Sequence, residues 1–191
     1  MKKLMIALAV VAMGVATNAA SFTWTTKGRI YDGAGTSAAY ASGETAYLMF
    51  TSIISQADLV ESFIADASAA KATVTGGAVK SSVINNEARV SETSAFTSSV
   101  TEPQSAYYVI FANDKMYVSG TASASYDSLN PDAVNAIEFA AETTASKATF
   151  ADTTATYAGA GWYQAAAVPE PTSGLLLLLG MAGLALKRKR A

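Results

Sequence analysis

The stretch Ser105–Ala124, SAYYVIFANDKMYVSGTASA, decides the fold. Tyr107 to Phe111 is an unbroken aromatic and β-branched run, Asn113-Asp114 supplies turn chemistry, and Met116 to Val118 returns. Such a pattern predicts a β-hairpin, because β-branched and aromatic side chains suit the pleated sheet while Asn and Asp tolerate the backbone of a tight turn. The hairpin is expected at the centre of a sheet.

Outward from that hairpin, strand signals recur at intervals of about ten residues. In SFTWTTKGRIYDGAG, Phe22, Trp24 and Thr26 alternate with Thr23 and Thr25, then Arg29, Ile30 and Tyr31 lead to an Asp32-Gly33 turn, which predicts a first strand or hairpin. Glu44 to Ser52 reads as a second, more buried strand, and AVKSSVINNEARVSETSAFTSS, beyond Gly76-Gly77, as two short polar strands or a meander. VNAIEFAAET, KATFADTTATY and GAGWYQAA supply two or three closing strands, with SYDSLNPDAV as a loop. One helix is expected, from Gln56 to Ala69: Ser55 is placed to cap it, and Leu59, Val60, Phe63, Ile64 and Ala67 recur at helical spacing. The fold class that follows is mainly β, an antiparallel sandwich or curved sheet with one packed α-helix.

Both chain ends have a different character. Lys2 and Lys3, twelve apolar residues from Leu4 to Val15, and small residues at Ala19 and Ala20 make the three-part build of a secretory signal peptide, with cleavage after Ala19 or Ala20. At the other end, Pro169 and Pro171 bracket Glu170 and keep Val168–Pro171 extended, since each proline excludes its predecessor from helical geometry. Fifteen uncharged residues follow, Thr172 to Leu186, then Lys187, Arg188, Lys189 and Arg190. A helix of that length spans roughly 22 Å, short of the ~30 Å hydrocarbon core but enough for a transient transmembrane anchor with snorkelling basic side chains. The positive charges are expected on the cytoplasmic side, which places the preceding chain across the membrane.

This Pro-Glu-Pro, apolar helix and basic cluster resembles the PEP-CTERM sorting signal of Gram-negative bacteria over Val168 to Ala191. The resemblance implies recognition near Pro169, Glu170 and Pro171 by an exosortase, a membrane-embedded cysteine protease-like enzyme. It also implies an inner-membrane intermediate, then delivery to the cell surface or an extracellular polysaccharide matrix. The expected organisation is a signal peptide over 1–20, a mainly β extracytoplasmic domain over 21–167, and the sorting signal over 168–191.

Composition bounds what the middle does. The body carries fourteen acidic against seven basic residues, so a nucleic-acid partner, which needs a basic field, is disfavoured. Ala, Ser and Thr make up 68 of the 148 residues from Ser21 to Val168, favouring a small-residue β protein over a Leu-rich bundle. The chain has no histidine and no cysteine. That removes Ser-His-Asp triads, thiol nucleophiles and His- or Cys-ligated zinc, leaving a carboxylate pair or a Ser-Lys dyad as conceivable catalytic equipment.

Asp58 with Glu61, and Glu138 with Glu142, have the spacing to share a helix face, yet read more simply as solvated charge. Gly33-Ala34-Gly35 with Ala38 imitates a dinucleotide-binding turn, but the segment after it is too short for the required helix. Asp127, Asn130 and Asp132 offer oxygen ligands for calcium without an EF-hand's glycine and terminal glutamate; an Asx/Pro turn is the simpler reading. Trp24 and Trp162 suit either a sugar-stacking platform or the core, and core packing is the default. No cofactor and no metal are expected.

The leading expectation is an exported, exosortase-sorted surface or matrix protein with a structural or interaction role and no catalysis of its own. The alternatives are a polysaccharide- or calcium-binding module and a carboxylate-based glycan-active enzyme.

Overall fold

Strand β5, Gln104–Ala112, explains why the central run lacks alternation: it is buried on both faces. Ala106, Tyr108 and Ile110 point into one apolar cluster, while Tyr107 and Val109 point into another. Its antiparallel partner β6 is Lys115–Val118, with Phe111 opposite Met116 and Val109 opposite Val118, as the hairpin reading expects. The computed structural model describes residues 20–31, 41–98, 103–112, 115–125, 133–140 and 156–166. The Asn113-Asp114 turn lies outside them, as do the residue 32–40 turn with its Gly33-Ala34-Gly35 and most of KATFADTTATY.

The other strands are β1 (Ala20–Thr26), β2 (Thr45–Phe50), β3 (Lys80–Val83), β4 (Ser91–Ser98), β7 (Ala122–Ala124), β8 (Val134–Phe139) and β9 (Gly161–Gln164). They form two sheets: β4-β1-β8, and β3-β2-β5-β6-β9 with β7 pairing along β5. The larger sheet is antiparallel throughout, with β5 central. In the smaller sheet the antiparallel expectation needs correction, because β1 pairs in parallel with β8, Ser21 opposite Val134 through Thr26 opposite Phe139. Nothing local to either strand encodes that direction; it follows from where the chain re-enters the sheet.

Between the sheets lies one core. β1 contributes Phe22 and Trp24 and leaves Thr23 and Thr25 on the other face, which is the alternation visible in SFTWTT. Phe22 meets Phe50 edge-on at 6.1 Å between ring centroids, and Tyr108 meets Phe139 at 5.0 Å and 89°. Aromatic pairs at such angles bring the positive ring edge to the negative ring face and add about 0.5–1.5 kcal/mol each to area burial. The Trp24 indole N–H donates to the Ser82 hydroxyl at 3.2 Å, and that hydroxyl donates to the Glu92 carboxylate at 3.0 Å. One hydrogen-bonded chain thus ties β1, β3 and β4 and satisfies the buried indole.

On the far face of the larger sheet a second core holds Met49, Tyr107, Val109, Met116, Val118 and Tyr163 against two helices. The single expected helix is in fact two, α1 Gln56–Ala65 and α2 Ala67–Gly77. Ser55 caps α1, its hydroxyl accepting from the Asp58 N–H at 3.1 Å. The break falls at Asp66, whose extended backbone (φ −153°, ψ 96°) ends the first helix. Its carboxylate then accepts from the Ser68 and Ala69 N–H groups at 2.9 and 3.0 Å. An aspartate in mid-helix gains nothing from these orphan donors, whereas as a cap it satisfies two of them. The molecule is therefore layered as small sheet, large sheet, helix pair, with its described elements running from Ala20 to Gln164.

Candidate functional site

Among the described residues, those singled out in the sequence are not gathered by the fold. Asp58 is engaged by its own cap, accepting from the Ser55 hydroxyl at 2.6 Å, and Glu61 lies exposed on α1. Glu138 pairs with Lys27 at 2.5 Å on the surface, and Glu142 lies outside the described residues. Asp127, Asn130 and Asp132 also lie outside them, and among the described residues no cluster of three or more metal-ligating side chains occurs. Trp24 and Trp162 are core residues, fully buried or nearly so, which removes them as an exposed sugar platform.

Of the two candidate cleavage residues, Ala19 lies outside the described part, whereas Ala20 opens β1, is fully buried and sits opposite Ser98. Pro169, Glu170, Pro171 and Lys187 to Arg190 are likewise outside. Among the described residues no helix is long and apolar enough to cross a membrane; Leu4–Val15 and Thr172–Leu186 are not among them.

What the fold does assemble is a pocket that sequence reading missed. It opens between the helix pair and the β5–β6 end of the larger sheet, with a volume of about 540 Å³. Phe63 of α1, Ser68 and Lys71 of α2, Phe111 of β5, Lys115 of β6 and Ala165 just after β9 line it. Phe111 is the aromatic centre: Phe63 lies 6.1 Å from it, Tyr47 packs edge-on at 6.1 Å, and the Lys71 ammonium stands 5.6 Å from its centroid. A cation over a ring face is held by the ring's quadrupole.

The electrostatics run against the rest of the body. Two of its seven basic residues, Lys71 and Lys115, line this pocket, and among the described residues no carboxylate does. Elsewhere Lys27 and Lys80 pair with Glu138 and Glu92. An apolar floor with two ammonium groups at its edge suits an anionic group carried on a flat or apolar frame. The Ala166 N–H donates to the Ile64 carbonyl at 2.9 Å, next to the pocket wall formed by Ala165. Only the scarcity of lysines hinted at this site in the sequence, because its residues come from four separate elements and the stretch after β9.

The buried tyrosines of this layer are structural. Tyr107 donates its hydroxyl to the Ile54 carbonyl at 3.0 Å, and burial, then the neighbouring Tyr157 and Asp58, push its phenol well above the usual tyrosine range. Tyr157, an exposed residue, is raised as well, by partial desolvation and by Tyr163.

Comparison with known proteins addresses the segment that follows the pocket. Residues 167–190 match the family model of the PEP-CTERM protein-sorting motif, in agreement with the resemblance read from Val168 to Ala191. A motif of this kind implies recognition by an exosortase and export to the cell surface. No curated protein and no solved structure matches the chain.

Proposed function

We propose that the protein is made with a cleavable export signal, held briefly in the inner membrane by Thr172–Leu186, processed near Pro169-Glu170-Pro171, and left at the cell surface or in an extracellular matrix. There the domain over 21–167 serves a structural or interaction role without chemistry of its own. The observation that carries this reading is the sorting motif at residues 167–190, in which a Pro-Glu-Pro, an apolar run and a basic cluster follow one another.

Several features support a non-catalytic role. With neither histidine nor cysteine, acid–base work would fall to carboxylates or a Ser-Lys dyad, and two of the four carboxylates considered, Asp58 and Glu138, are committed to Ser55 and Lys27. The burial of both tryptophans weakens the sugar-platform alternative. The protein's partners on this reading are the processing enzyme, the membrane in transit and the surface polymer it joins.

The test is processing in the native host. Intact mass of the surface form should begin at Ala20 or Ser21 and end near Pro169 to Pro171. Pro169→Ala with Pro171→Ala should leave the protein in the membrane fraction. Recovery of Leu175 to Leu186 in the surface form, or unchanged release of the double variant, would overturn the reading.

A further inference from the structure

We infer that the pocket between α1, α2 and the β5–β6 end of the larger sheet binds a small aromatic carboxylate, with the ring on Phe63 and Phe111 and the carboxylate at the Lys71 ammonium. This gives the domain a binding activity that goes beyond the sorting reading and does not depend on it.

Shape comes first. A volume of about 540 Å³ lies within the ~300–1,000 Å³ range of small-ligand sites. Phe63 and Phe111, with ring centroids 6.1 Å apart, form its aromatic wall, and the methyl groups of Ala67, Ala112 and Ala165 add apolar surface while leaving the space open. A flat ring covers such a wall with few torsions of its own to freeze.

Charge is the second observation. In a body with fourteen acidic against seven basic residues, a pocket lined by no described carboxylate is set apart. Among the described residues the Lys71 ammonium meets the Phe111 ring, 5.6 Å from its centroid, and pairs with no carboxylate. The ring's quadrupole thus holds the cation at the pocket edge before an anion arrives, so little freedom is lost on binding. Lys115 already has a partner within the protein, and the carboxylate contact therefore rests on Lys71. Ser68 lines the same edge one helical turn earlier, and its exposed hydroxyl is available to the second carboxylate oxygen.

The third observation is how little else is polar. Among the described lining residues only Ser68, Lys71 and Lys115 carry polar side chains. A pyranose turned toward Phe63, Phe111 and the alanines would strip water from several hydroxyls and offer them no partner, whereas an aromatic acid has one polar end to satisfy.

The experiment uses the purified full chain in phosphatidylcholine nanodiscs and 4-fluorocinnamate as the probe, with binding read from fluorine relaxation and empty nanodiscs subtracted. A ligand of this size in an open pocket should show a dissociation constant on the order of 1 mM. The same frame without charge, 4-fluorocinnamyl alcohol, should bind about tenfold more weakly, because it forgoes the charge-assisted bond to Lys71. Lys71→Gln should weaken the acid about tenfold and bring acid and alcohol to equal affinity, while Lys71→Arg keeps the preference. The melting curves should stay that of the wild type, since Lys71 is exposed. The comparison of acid with alcohol on the unaltered protein keeps the inference falsifiable if either variant fails to fold.

No saturable binding above the empty nanodiscs, equal affinity for the alcohol, or an unchanged affinity in Lys71→Gln would overturn the inference. Displacement by galacturonate as effective as by unlabelled cinnamate would overturn it in favour of an acidic sugar, and tighter binding of octanoate in favour of an aliphatic acid. None of these outcomes bears on processing at the sorting motif.

Discussion

Replacing Tyr107 by phenylalanine removes one hydroxyl from a fully buried side chain and should make stability depend on pH in a defined way. At neutral pH the loss is the hydrogen bond to the Ile54 carbonyl, about 1 kcal/mol, because folding exchanges a bond with water for one within the protein. In alkali the sign reverses. Burial raises the native phenol above its ordinary value of 10.0, so the unfolded chain ionises first. Tyr107 therefore contributes its full stabilisation below pH 10, and that contribution shrinks as pH rises from there toward the native pKa. One pH unit above 10 costs about 1.4 kcal/mol. The wild-type advantage of about 1 kcal/mol at pH 7 should thus vanish, or turn slightly negative, near pH 11. Urea unfolding followed by far-ultraviolet circular dichroism at pH 7, 9, 10 and 11 measures the difference directly, and the other tyrosines cancel between the two proteins. A difference that stays constant from pH 7 to 11 would refute the assignment of a raised native pKa to this residue.

Asp66→Ala should cost about 1–2 kcal/mol in chemical denaturation, since it releases two N–H groups at the start of α2. Asp66→Asn should recover most of that, because the amide oxygen still accepts. Ile110→Ala, in the core between the sheets, should cost about 2–5 kcal/mol and lower the midpoint without changing the denaturant slope. Deleting Thr172–Ala191 should leave a domain that melts cooperatively with a β-rich spectrum and a smaller helical part, because every described element ends by Gln164; an unfolded truncation at moderate temperature would contradict it.

What could be read in the sequence was what burial writes locally. β5 and β2 are covered on both faces and appear as apolar runs, and β1, covered on one, appears as alternation. The helix boundary was misread because Asp66 sits among alanines that favour continuing the helix, and the competing cap depends on N–H groups that exist only once the second helix forms. The parallel pairing of β1 with β8 has no local signature at all. The same division holds for function. The sorting motif is a linear signal and could be read as one, whereas Phe63, Lys71, Phe111 and Lys115 become neighbours only through the packing of helices on the sheet.

The pairing of Ser21 with Val134 also carries a consequence in time. β1 is the middle strand of its sheet, and both of its partners lie far downstream: Ser98 faces Ala20, and Phe139 faces Thr26. A chain that emerges with its N-terminus leading must keep Phe22 and Trp24 waiting until on the order of a hundred further residues have followed, and must then close that loop before any contact rewards it. The β5–β6 hairpin meets no such delay, since its strands are near neighbours in the chain. The two helices with β2, β3, β5 and β6 of the larger sheet are therefore the early-forming part of the molecule. The small sheet closes last, and until it does, the apolar face of β5 and β2 stands open to association with other chains.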